Sequence, residues 1–230
     1  MFPRPEQSGG AEGADAAPRH RPGTPPGYTG GMNILVTGGA GYIGSVTVEG
    51  LVRRGHRVVV LDNLGSGHRE AVHPDAAFVL ADLRDTDRVS HALEQHAVEA
   101  VVHFAASSLV GESMQVPLAY YENNVGGSLS LLRAVTAAGI DRFVFSSTAA
   151  LYGTPDATPI PEDAPIRPES VYGSTKRMVE EVLGWLSADV VLVIRERHLH
   201  RLAHQGRRRK VHDRLHRMLL QGVRDAVRVA

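Results

Sequence analysis

The sequence contains no cysteine. Disulfides and thiolate metal sites are therefore excluded, and a reducing cytoplasm is the simplest setting. No apolar run approaches the ~20 residues needed to cross a bilayer, so no membrane partner is expected, and the N-terminal stretch lacks the apolar core of a secretory signal. Metal-ligand spacings are also missing: no H-E-x-x-H occurs, and the histidines of the C-terminal stretch lie among arginines. No metal site is expected.

What remains is 230 residues at 43% hydrophobic content, enough for one well-packed domain and part of a second. The formal net charge of zero hides an imbalance. Residues 195–230 carry eleven Lys/Arg against three Asp/Glu, and residues 1–194 carry an equal and opposite surplus. Residues 1–31 are rich in Gly, Pro, Ala and charge with no apolar periodicity, which predicts a disordered leader. Ordered structure is expected from Met32, with a dinucleotide-binding domain over 32–194 and a basic, Arg/His-rich tail over 195–230.

Between them, short β-branched runs alternate with helical patterns. Strands are expected near 33–37, 57–61, 77–80, 99–104, 141–147 and 189–194, and helices near 42–54, 84–96, 116–138 and 170–187. That alternation predicts an α/β fold, a doubly wound parallel sheet of the Rossmann type. Ligands bind such sheets beyond the carboxyl ends of the strands, so the residues at strand ends are the ones to inspect.

The first strand end is the most telling. Asn33-Ile34-Leu35-Val36-Thr37 runs into Gly38-Gly39-Ala40-Gly41-Tyr42-Ile43-Gly44. A strand turning sharply into a helix presents unpartnered N–H groups and the positive end of a helix dipole, which attract a pyrophosphate. Gly38 suits the tight turn, Gly41 leaves room for phosphate oxygens, and Gly44 lets the helix pack on the strand. A glycine turn without ligand is the alternative. The second strand ends at Asp62, 18 residues after Gly44, where a carboxylate can accept from ribose hydroxyls and favours NAD. A strand-end cap is its bland reading. Asp82, after the third strand, could bind an adenine amino group or cap a helix beginning near Arg84.

Tyr172 and Lys176 open the last helical pattern four residues apart, on one face. A phenol is a poor base near neutrality, but an adjacent ammonium favours the phenolate. Thr148, at the end of the fifth strand, could orient a substrate alcohol beside the Tyr172 oxygen.

Several blocks are similar to the UDP-glucose 4-epimerase family of extended short-chain dehydrogenases/reductases. They are residues 37–45, Asp62-Asn63-Leu64, residues 81–85, His103-Phe104-Ala105-Ala106, Val110-Gly111-Glu112-Ser113, residues 120–125 and Phe145-Ser146-Ser147-Thr148. The resemblance covers roughly 32–190 and implies a tightly held NAD that is reduced and reoxidised within one turnover. It implies a UDP-sugar substrate (UDP-glucose or UDP-galactose), with Tyr172 as base at the sugar 4-hydroxyl. Thr148 would hold the 4-oxygen and Lys176 the nicotinamide ribose. Tyr42, Ile43, Asn63, Leu83, Phe104, Ala105, Ala106, Asn123 and Ser146 would join Gly38, Gly41, Gly44, Asp62 and Asp82 around the cofactor. It further implies a homodimer through helices near 84–138 and 170–187.

Ser108 stands where family members often carry a lysine. Past Arg195 the family's Arg-Tyr-Phe-Asn block and its small C-terminal substrate domain are not legible, which suggests a truncated or frame-shifted reading. A genuine basic tail that attracts nucleic acid is the less favoured alternative. Two other readings stay open. One is a nucleotide-sugar 4,6-dehydratase, which would place an acidic pair where Ala149-Ala150 stand. The other is a cofactor-binding remnant without activity.

Overall fold

The computed structural model describes residues 31–161, 163–186 and 191–194. The expected leader and the basic tail lie outside the described residues.

Six parallel strands form one sheet in the order β3-β2-β1-β4-β5-β6. They are β1 (Asn33–Thr37), β2 (Arg57–Asp62), β3 (Ala77–Leu80), β4 (Ala100–His103), β5 (Arg142–Ser146) and β6 (Val191–Ile194). The helices are α1 (Tyr42–Val52), α2 (Thr86–Gln95), α3 (Val110–Gln115), α4 (Pro117–Tyr120), α5 (Gly127–Ala137) and α6 (Val171–Leu186). The order reverses at β1 and β4, the neighbours that pair Thr37 with His103. A crevice opens where connections leave such a pair in opposite directions.

The strands are apolar on both sides because both faces are covered. Successive side chains on a strand alternate. In β1, Leu35 therefore joins Val59, Val101 and Phe145 in a core closed by α2, α5 and α6. Its neighbours Ile34 and Val36 join Val58, Val60 and Val102 in the opposite core against Val48 and Leu51 of α1. The doubly wound fold is thus as expected, and strand and helix limits move by a few residues at most in five of the six strands and three of the four helices. β6 is described from Val191 on.

The fourth helix differs. The pattern over 116–138 predicts one helix, and the chain is helical from Pro117 to Ala137, but as α4, a π-helical turn at Tyr121–Gly126, and α5, with the short α3 ahead of it unexpected. Pro117 explains why α3 ends and α4 begins there, since it lacks an N–H and fits only at a helix start; it occupies the first turn of α4. Tertiary bonds explain the π turn. Asn124 is 2% exposed and bonds across the fold, and a π turn inserts the extra residue that points such a side chain inward.

The expected helix start near Arg84 is also corrected. α2 begins at Thr86 because Asp85 is its cap, accepting from the Arg88 N–H at 3.1 Å. Asp82 does not cap it.

Candidate active site

The glycine turn is built as its residue types require. Gly38 has φ +70°, a left-handed conformation that disfavours side chains. A Cβ there would sit 2.6 Å from the Ala105 N, so the turn touches the segment that follows β4. A Cβ on Gly44 would lie on the Gly38 carbonyl oxygen, which is why α1 can pack so closely. Gly41 is the N-cap of α1, and no side chain caps that end. A Cβ on Gly41 would meet only the Gly38 oxygen, at 3.3 Å. Tyr42 is 73% exposed beside the turn, and Ile43 packs on the Ile34/Val36 core.

Asp62 organises this turn. Its Oδ2 accepts from the Ala40 N–H at 3.0 Å and its Oδ1 from the Leu64 N–H at 2.8 Å. Asp82 is tied more heavily. It accepts from the Arg84 N–H at 2.9 Å, from Arg84 Nε and Nη2 at 2.8 Å each, and from Asn63 Nδ2 at 3.1 Å. The Arg84 side chain, above all, holds the Asp82 carboxyl well below the usual carboxylate range. Leu83 turns into the core, where a Cβ on Gly127 would meet it at 3.4 Å.

On the other side most of the polar groups are buried. Lys176 is 4% exposed, donates to the Ser146 carbonyl at 3.0 Å, and stands 4.7 Å from the Phe145 ring centroid and 6.0 Å from that of Tyr172. Thr148 caps the short 3₁₀ turn Ala149–Tyr152, accepting from the Ala150 N–H at 3.1 Å. Phe104 and Ala105 are half-buried against the two cores, and the Phe104 N–H bonds the Thr37 carbonyl at 3.0 Å. Ala106 is half-buried next to them. Asn123 donates to Ser107 Oγ at 3.0 Å.

A chain of hydrogen bonds links these parts. Ser128 donates to the Asn124 carbonyl at 2.5 Å, so its oxygen is left to accept from His103 Nε2 at 2.9 Å. His103 Nδ1 then accepts the Thr37 hydroxyl at 2.7 Å. Burial, helped by the Lys176 ammonium, holds His103 at a pKa of about 3, so the ring is neutral and its tautomer is fixed by its partners. Asn124 in turn accepts from the Ser107 N–H at 2.8 Å and donates to the Ser107 carbonyl at 2.9 Å and to Thr175 Oγ1 at 3.1 Å.

Ser107, Ser113, Asn124, Ser128 and Thr175 escape a reading of motifs by chemistry, because each is a common polar residue whose partner lies far away in the chain. Only residence inside quoted blocks marks Ser113 and Asn124. Among the described residues no three His, Cys, Asp or Glu side chains gather as a metal site would need. No described helix is long and apolar enough to cross a membrane.

The glycine turn follows β1, and the buried Lys176 bonds the last residue of β5, so both lie at the carboxyl edge of one parallel sheet. At 52% identity over 154 residues, the chain is similar to UDP-glucose 4-epimerase of Lactobacillus helveticus, covering 67% of this chain and 47% of that protein. The Streptococcus mutans UDP-glucose 4-epimerase is 50% identical over 156 residues, with the same shares. The chain thus spans about half the length of the curated relatives it matches. Among solved structures, UDP-glucose 4-epimerase from Brucella ovis in complex with NAD matches with a TM-score of 0.69 at 42% identity, covering 71% of this chain and 51% of that one. The Thermotoga maritima enzyme with UDP-glucose matches with a TM-score of 0.69 at 37% identity, covering 71% and 55%. A family model is matched over residues 34–222. It runs past Arg195, where the motif reading ends, and that part lies outside the described residues. With most of its length so matched, the chain belongs to the NAD dependent epimerase/dehydratase family.

Proposed function

We propose that this chain binds NAD and interconverts UDP-glucose and UDP-galactose by inverting the sugar C4, with Tyr172, Lys176 and Thr148 at the reacting centre. The observation that carries the reading is the buried Lys176 ammonium at the carboxyl edge of the sheet, 6.0 Å from the Tyr172 ring, in a family member whose glycine turn borders the same crevice.

The residues present fit a dinucleotide. The end of α1 has no side-chain cap and Gly41 is open outward, so backbone N–H groups are available to a pyrophosphate. Asp62, though engaged by two N–H groups, is a carboxylate with acceptor capacity left for ribose hydroxyls. Asp82 and Asn63 would stand at the adenine end, and Phe104, Ala105, Ala106, Asn123 and Ser146 would line the remainder.

NAD, when bound, would supply a reversible two-electron acceptor for the sugar C4, so no net redox change would result. Tyr172 removes the proton of the 4-hydroxyl and later gives it back. Lys176 favours the phenolate by charge. The Thr148 hydroxyl accepts from Ala150 and keeps its own proton to donate to the sugar 4-oxygen. The reading places the protein in the cytoplasm. A second copy would pack on the outward faces of α4 and α6, where Leu118, Met178 and Trp185 are exposed.

The test is interconversion of the two UDP-sugars by the 230-residue chain and by its Tyr172→Phe variant. Activity abolished by the substitution supports the reading. Absence of activity in both, with NAD bound, would leave a cofactor-binding protein and overturn it.

A further inference from the structure

Tyr172 is the second residue of α6. The first N–H groups of a helix have no partner within it, and first turns fray unless something takes them. Here two different segments do so. Ser170, just ahead of the helix, accepts from the Gly173 N–H at 3.1 Å. The Tyr172 N–H goes elsewhere: it donates to Ser113 Oγ at 3.1 Å, 59 residues away in α3.

Ser113 is built for that one contact. It is fully buried, and its proton is spent on the Val110 carbonyl at 2.6 Å, which leaves the oxygen as an acceptor. The segment that carries it is anchored in turn. Tyr120 Oη lies 2.6 Å from Glu112 Oε2 and accepts from the Leu109 N–H at 3.1 Å. The other end of the Tyr172 peptide is fixed too, since its carbonyl accepts from Thr175 Oγ1 at 2.7 Å.

We propose that Ser113 is a positioning residue for Tyr172: its hydroxyl, delivered from α3, locks the one backbone N–H whose release would let the phenol drift from Lys176. Lys176 sits a full turn deeper and does not depend on that bond, so losing Ser113 changes the distance between the two partners and not merely the stability of the helix. The inference rests on the acid-base pairing proposed above and deepens it. It gives the Gly111-Glu112-Ser113 block a mechanical task.

The test compares Ser113→Ala with Ser130→Ala in the full chain. Ser130 is also a buried hydroxyl, bonded to Thr86 Oγ1 at 2.7 Å, but it lies outside the crevice. Phenolate absorbance is titrated in each background with and without Tyr172→Phe, and the difference isolates Tyr172. Groups acting on that phenol include Lys176 on its own helix, Tyr120 on α4 and, through Tyr120, Glu112 on α3.

Ser113→Ala is expected to raise the Tyr172 midpoint by roughly half a pH unit or more, as a phenol does when a cation recedes. Epimerase turnover should fall about tenfold with KM nearly unchanged, the mark of misplacement at the reacting centre. Ser130→Ala should lower the melting temperature and do neither. If Ser113→Ala behaves like Ser130→Ala, the proposal is overturned. A chain without epimerase activity would sink the proposed function, while the titration would still decide this one. Should Ser113→Ala not fold, Ser113→Cys, a weaker acceptor of similar size, is read the same way.

Discussion

The two sides of the crevice hold their polar groups by opposite means. On the glycine-turn side many partners are close in sequence: Asp62 with Leu64, Asn63 with Gly65 and Asp82 with Arg84 are each two residues apart, and Asp62 with Ala40 spans 22. On the Tyr172 side they are buried and distant. Thr37 with His103 is separated by 66 residues, Ser113 with Tyr172 by 59, and Asn124 with Thr175 by 51. The first arrangement can be kept by a short motif, since a loop folds onto itself. The second exists only once the sheet and helices have assembled, and in a low-dielectric interior each of its groups is costly to leave unpaired.

Substitutions should expose that contrast. The largest effect is expected from Lys176→Met, which keeps much of the volume but removes the cation. Turnover should drop on the order of 10²–10⁴-fold with the far-UV spectrum unchanged; a loss under tenfold would break the proposed pairing. Next comes Asn124→Leu, which strands the Ser107 N–H and C=O and removes the bond that the Thr175 hydroxyl accepts. Urea denaturation should show a loss of about 3 kcal/mol.

How much of this was legible in the sequence follows the same division. The doubly wound sheet and its strands were legible because fully buried parallel strands read as apolar runs. The glycine turn, Asp62 and Lys176 could be singled out because they occupy fixed positions at strand and helix ends. The helix over 116–138 was legible in extent, while its π turn and the short α3 ahead of it do not follow from apolar spacing. Asp82 as a cap failed because Asp85, three residues on, competes for the same task and wins by geometry. Ser113, Asn124 and His103 carried no role that residue type could announce.

A smaller effect sharpens the comparison through pH. His103 has an ordinary pKa of 6.5 unfolded and about 3 in the fold. Between those values the unfolded chain binds a proton that the folded chain refuses, so stability falls as pH falls from about 6.5 toward 3. His103→Gln should remove this contribution, which amounts to on the order of 1 kcal/mol per pH unit in that window, as read from urea midpoints at pH 7 and pH 5. An equal slope in both proteins would mean that His103 is charged or exposed. The smallest effect belongs to the other side. Arg84→Ala, at an exposed pair, should cost about 0.5 kcal/mol or less and vanish in high salt. A cost matching that of Asn124→Leu would erase the distinction between the two sides.

The sequence by itself determined the class of fold, the glycine turn, the acidic strand ends and the presence of a tyrosine and lysine on one helical face, because each depends on local periodicity or on spacing within a single element. Tertiary structure decided what holds the Tyr172 backbone. The residues that grip its backbone, neutralise His103 and open the helix at Asn124 come together only when β1, β4, α3 and α6 meet. Hydrogen-bond partners that far apart in the chain leave no periodic trace in it.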